Sequence, residues 1–181
     1  MKCYIMLAEG FEEIEAVSVY DILKRASIDT FFVSVYGEKA VKSSRGMKIM
    51  PDMSLSEISS VESHDVVVLP GGMPGTLNLK RSDELAKILA HHYDENGVIA
   101  AICAAPSILG EMGLLKGKRA TCYPGFEESL KGAEFVEKAV VHDGNIITSR
   151  SAGTAIQFAL EIVSLVKSRQ EAEKISSAIL L

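Results

Sequence analysis

The stretch Val98-Ile99-Ala100-Ala101-Ile102-Cys103-Ala104-Ala105-Pro106 decides how the rest of the chain is read. Its first five residues are apolar without alternation, as in a strand covered on both faces of a parallel sheet. A helical segment, Ala105 to Met112, follows at once, with Pro106 in its first turn, where the missing N–H costs nothing. Cys103 falls on the joint between the two. Alanines on both sides allow a sharp turn there, which presents the sulfur at the sheet edge in the manner of a nucleophile elbow. Free N–H groups at the helix start favour the thiolate and predict a lowered thiol pKa. The competing reading is a buried structural cysteine in a small-residue turn.

Outward from this joint the chain alternates between strand-like and helix-like segments. Lys2 to Ala8 and Thr30 to Val35 read as strands, with a helix from Glu12 to Ala26 between them. Arg45 to Met50 reads as an exposed or edge strand stopped by Pro51. Asp65 to Leu69 is a β-branched run ending in Pro70-Gly71-Gly72, and Ser82 to Glu95 is an amphipathic helix ended by Asn96-Gly97. Val140 to His142 and Asn145 to Thr148 flank Asp143-Gly144, a hairpin signature. Helices are expected over Thr154 to Lys167 and Gln170 to Leu180. Strands alternating with helices of about 10–15 residues imply an α/β fold with a mostly parallel sheet and helices on both faces. Ligands bind such sheets outside the carboxyl ends of the strands. Three of those ends carry suggestive chemistry: Glu9-Gly10, Gly71-Gly72 and Cys103.

The whole chain of 181 residues fits one domain, and its 48% hydrophobic and 24% charged residues are an ordinary globular balance. Nineteen basic against 24 acidic residues give a formal charge of −5, which excludes nucleic-acid binding by a bulk basic face. No apolar run approaches the roughly 18 residues of a membrane span. The opening apolar run is too short for a signal sequence, so no membrane partner and a cytoplasmic location are expected.

Three cysteines at positions 3, 103 and 122 suit neither a disulfide framework nor a zinc site, and no metal is expected. Cys3 reads as core. Cys122 follows a short strand and is either structural or a modulator near the same sheet edge. Glu15 shares a helical stripe with Val19, Ile22 and Ala26, the core-facing positions. Poor hydration there raises a carboxyl pKa, and a protonated Glu15 would donate to a thiolate. Alternatively it is one solvated acid among Glu9, Glu12 and Glu13 in a helix's first turn. Paired glycines at 71 and 72 let backbone N–H groups approach a ligand, as an oxyanion site requires, or form a plain turn. His64, His91, His92 and His142 read as surface or loop residues, and no histidine follows Cys103.

Four segments together resemble the DJ-1/ThiJ/PfpI superfamily, in its parkinsonism-associated deglycase clade. They are Ala8 to Val17, Asp65 to Gly72, Ala100 to Pro106 and Thr148 to Thr154, in order and over the whole chain. The resemblance implies a flavodoxin-like three-layer sandwich and a homodimer. It implies a reactive Cys103, a protonated partner at Glu15, and oxyanion-type amides around Gly72 and Ala104. The activities it implies need no cofactor. They are glutathione-independent conversion of the small reactive aldehydes methylglyoxal or glyoxal to hydroxy acids, deglycation of early aldehyde adducts, and stress protection through a cysteine sulfinate. An amidase or protease is a further possibility of the wider superfamily, but the protease branch carries His directly after its nucleophile, where this chain has Ala104. Tyr123 stands where the deglycase often has His. Ser43 and Met50 stand where the family has peripheral cysteines. Arg45 matches an arginine usually at the dimer interface near the partner's nucleophile, with a solvated loop residue as the alternative. Arg150 lies in the fourth matching segment and is a secondary candidate.

Overall fold

The computed structural model describes residues 1–58 and 60–181. In chain order the elements open with β1 (Lys2–Leu7), α1 (Glu13–Arg25) and β2 (Asp29–Ser34). The short strands β3 (Val41–Lys42), β4 (Lys48–Ile49) and β5 (Met53–Ser54) follow. Next come β6 (Val66–Leu69), α2 (Gly75–Lys80), α3 (Asp83–Asp94), β7 (Val98–Ile102) and α4 (Pro106–Glu111). The chain ends with β8 (Arg119–Ala120), β9 (Glu134–Phe135), β10 (Val140–Asp143), β11 (Ile146–Ser149), α5 (Ala155–Val166) and α6 (Arg169–Ala178).

The main sheet runs β10-β11-β7-β6-β1-β2-β5, parallel throughout except for the β10–β11 hairpin. Its five long parallel strands, β2-β1-β6-β7-β11, follow the 2-1-3-4-5 flavodoxin order. Each strand feeds both layers in alternation, the period-two consequence of the pleat. Cys3, Ile5, Leu7, Val66, Val68, Ala100, Ile102 and Ile147 face one core, shared with Val19 and Leu23 of α1 and Phe158 and Ile162 of α5. Tyr4, Met6, Val67, Leu69, Ile99, Ala101 and Ile146 face the other, with Leu85 and Leu89 of α3 and Leu109 of α4. Covered twice, the central strands β6 and β7 carry apolar residues at every position, which is why their sequences show runs rather than alternation.

Three expectations change. Arg45–Met50 is not a strand of the sheet: β3 and β4 form a small antiparallel ribbon of their own, Arg45 lies in its turn, and β5 is the true edge strand. Pairing the two arms locally satisfies their N–H and C=O groups without a sheet neighbour. Asp143 pairs with Ile146, so the hairpin turn is Gly144-Asn145, with Gly144 at φ +64° in the first central position of a II′ pattern. His92 is buried rather than exposed, its ring lying over Gly97, where a β-carbon would come within 2.0 Å of the imidazole.

Candidate active site

The carboxyl ends of β1, β6 and β7 converge at the switch point of the sheet. Cys103 follows β7 directly and adopts φ +64°, a left-handed conformation that non-glycine residues rarely hold. Two main-chain bonds fix it: its N–H donates to the Ser149 carbonyl at 2.9 Å, and its carbonyl accepts the Tyr123 N–H at 2.8 Å. Together they over-determine a conformation that costs about 1–3 kcal/mol by itself. Cys103 is half-buried, whereas Cys3 and Cys122 are fully buried.

Glu15 sits in the first turn of α1, only 1% exposed. Glu12 caps that helix by accepting the Glu15 N–H at 2.9 Å. The Glu15 carboxyl is met from β6: the Gly71 N–H donates to Oε2 at 2.7 Å. The Gly71 carbonyl in turn accepts the Glu12 N–H at 2.9 Å, so one residue clamps the helix start in both directions. This corrects the placing of Gly71 among the oxyanion donors, since its N–H is engaged by Glu15. Gly72 has φ +90°, and a β-carbon there would lie 2.5 Å from the Glu12 nitrogen and 2.6 Å from the Gly10 oxygen. Only glycine fits that position.

Burial pushes the Glu15 carboxyl up to about 7, against the pull of the Gly71 N–H, with the Glu12 charge adding to the rise and the contact with the Cys103 thiol opposing it. Burial also pushes the Cys103 thiol upward, reinforced by the charge and closeness of the Glu15 carboxylate, while the N–H groups of Ala104 and Gly72 pull downward. The direction is opposite to that expected from the helix start, because burial of the sulfur and the nearby carboxylate outweigh the two N–H groups. The opposition from Glu15 lasts only while that group is ionised. Once Glu15 holds a proton, the same contact favours a thiolate. The pair is therefore built to carry one negative charge, and two amides face the sulfur that can receive it.

Cys122 is held as a thiol, pushed up to about 11 by burial and by Glu127 and pulled down by Arg150 and the Phe126 N–H. Its neighbour Tyr123 is exposed and reaches Cys103 through its main chain. Arg150 continues from β11 and pairs with Glu137 at 3.1 Å. Arg45 is exposed in the β3–β4 turn, which is tied to the start of α1 by the Ser44 hydroxyl donating to Glu13 Oε2 at 3.1 Å. Sequence reasoning missed the Ser149 carbonyl and the Glu12 cap. The first is main chain and leaves no residue signal. The second was legible as an acid three residues before Glu15. Among the described residues no cluster of three His, Cys, Asp or Glu side chains is arranged for a metal ion, and no helix is long and apolar enough to cross a membrane.

A flavodoxin-ordered sheet with a left-handed cysteine at a central strand end and a buried carboxyl beside it defines a class of cysteine-elbow α/β proteins. The DJ-1/PfpI family profile matches residues 1–165, and the chain belongs to that family. It is 39% identical over 179 residues to protein dj-1beta of Drosophila melanogaster, covering 98% of this chain and 95% of that one. It is 31% identical over 161 residues to a Caenorhabditis elegans protein named glutathione-independent glyoxalase DJR-1.2, covering 88% and 84%. The structure of oxidized Toxoplasma gondii DJ-1 superposes with a TM-score of 0.94 at 34% identity, covering 99% of this chain and 97% of that one.

Proposed function

We propose that this protein converts small 2-oxoaldehydes such as methylglyoxal to 2-hydroxy acids, without a cofactor, through Cys103 and Glu15. The observation that carries the reading is the half-exposed Cys103 at φ +64°, with the buried Glu15 carboxyl and two backbone N–H groups against its sulfur. The glyoxalase name of the C. elegans relative supports it.

In this reading the Cys103 thiolate forms when its proton passes to the carboxylate of Glu15. The sulfur adds to the aldehyde carbon to give a hemithioacetal, whose oxygen the Gly72 and Ala104 amides stabilise. Glu15 gives its proton to that oxygen and, ionised again, moves a proton from the first carbon to the second. The first carbon is oxidised to the thioester level while the second is reduced to an alcohol, so no outside oxidant enters. Water then cleaves the thioester, releasing the hydroxy acid and the thiol. Draining free aldehyde also pulls reversible aldehyde adducts apart, which would register as deglycation. Cys103→Ser and Glu15→Ala are each expected to abolish lactate formation from methylglyoxal; turnover at the parent rate in either variant overturns this mechanism.

A second reading, an oxidation-responsive protein, draws on the exposure of Cys103 alone among the three cysteines. The same amides and carboxyl suit a sulfinate. Intact-mass measurement after mild peroxide separates the two: a two-oxygen gain confined to Cys103 in a protein without aldehyde turnover favours sensing.

A further inference from the structure

The two oxygens of the Glu15 carboxyl are not equivalent. Oε2 accepts the Gly71 N–H at 2.7 Å, whereas Oε1 is buried with no hydrogen-bond partner. An oxygen that accepts a short N–H bond retains negative charge, and the proton of the neutral acid settles on the other. Gly71 also lies between the two reacting side chains. A β-carbon on it would come within 2.6 Å of Cys103 Cβ and 2.9 Å of Glu15 Oε2. Unlike Gly72, Gly71 is not in the left-handed region, so its demand for glycine is one of space. We propose that Gly71 is a positioning residue: its N–H holds Oε2, which leaves Oε1 as the oxygen that carries the transferred proton, and its missing side chain lets carboxyl and sulfur meet. This rests on the catalytic reading of Cys103 and Glu15 and assigns the orientation on which their proton transfer depends.

The test replaces residue 71 by glycolate in the full chain, which removes the N–H as an ester and adds no atom, alongside Gly71→Ala. Carbon NMR of the Glu15 carboxyl, identified by its loss in Glu15→Gln, reports the titration midpoint without reference to turnover. Losing a charge-assisted N–H bond is expected to raise that midpoint by about one pH unit or more. Turnover of methylglyoxal is expected to fall roughly tenfold in kcat with KM nearly unchanged. Gly71→Ala is expected to cost activity in the parent protein. A Glu15 midpoint that stays in place with glycolate, or parent-level turnover in Gly71→Ala, overturns the assignment. Failure of the catalytic reading registers separately, as turnover surviving in Cys103→Ser, and leaves the midpoint shift in place.

Discussion

The N–H of Cys103 donates to the carbonyl of Ser149 at 2.9 Å, one step beyond the last paired residues of β7 and β11, Ile102 and Ser149. Cys103 is therefore the final rung of a parallel ladder rather than part of a free loop. Its sulfur is aimed by the sheet itself, and the predictions below start from that rigidity.

Selective labelling is the first. Iodoacetamide applied to the folded protein is expected to modify Cys103 and spare Cys3 and Cys122, which are 0% exposed. Peptide mass spectrometry checks this, and equal labelling of Cys122 would show that the β8 end opens on its own.

The second concerns pH and Glu15. Its folded value near 7 lies above the unfolded carboxyl value, so the folded state binds its proton more tightly. That contribution is fully present below about pH 4 and is lost as pH rises through 7. It amounts to about 3 kcal/mol between the two ends. Glu15→Gln is expected to remove this fall, so its stability advantage over the parent grows from pH 4 to pH 8 in urea unfolding curves.

His92 gives the opposite limb. Burial holds its imidazole below the ordinary histidine value, helped by the charge of nearby His91, against bonds to the Val98 and Asp65 main chain and the Asp65 charge. The unfolded chain therefore takes up a proton that the folded one refuses, and stability declines as pH falls below the unfolded value of about 6.5. His92→Gln is expected to flatten that decline. Gly97→Ala drives a methyl into the ring and is expected to destabilise at all pH values, by about 2–3 kcal/mol.

Two glycines with nearly the same backbone angle separate conformation from space. Gly72 (φ +90°) is walled by Glu12, Gly10 and Phe11, while Gly125 (φ +94°) has nothing within 4 Å. Gly125→Ala is expected to cost only the strain of the left-handed region, about 1 kcal/mol. Gly72→Ala adds main-chain collisions, and is expected to cost roughly 3 kcal/mol or more and to abolish turnover. Thermal unfolding of the pair, with a methylglyoxal assay, decides it.

The family resemblance and the exposed apolar side chains Ile14 and Val17 of α1 and Met47 and Met50 around the β3–β4 ribbon lead to an expected homodimer. Sedimentation equilibrium of the parent chain is expected to give twice the monomer mass, and Val17→Glu to shift it toward the monomer. A parent chain that stays monomeric at all concentrations removes the expectation.

How much of this was legible beforehand varied with the physics. The long strands announced themselves because burial on both faces leaves apolar runs, as in Val66 to Leu69. Cys103 stood out because its alanine neighbours and Pro106 mark a strand-to-helix joint. Glu15 was ambiguous, since the helical stripe put it inward while three neighbouring acids suggested solvent; tertiary packing of α1 against the sheet decided it. The two-residue strands β3 and β4 carry too little sequence for periodicity to resolve. α2 was missed because Pro74 and Gly75 mark a turn as readily as a helix start. His92 was misread because the space that receives it belongs to Gly97, five positions away and beyond the end of its own helix. The division of labour between Gly71 and Gly72 was out of reach, since adjacent glycines look alike until their N–H groups acquire directions.

The groups that face the Cys103 sulfur from Gly72 and Ala104, and the one that holds Glu15 from Gly71, all belong to the polypeptide backbone. Genetic variation exchanges what hangs from that backbone and leaves the backbone itself in place. Side chains around the rim can therefore change while the same polar cradle stays, so long as glycine remains where crowding forbids anything larger.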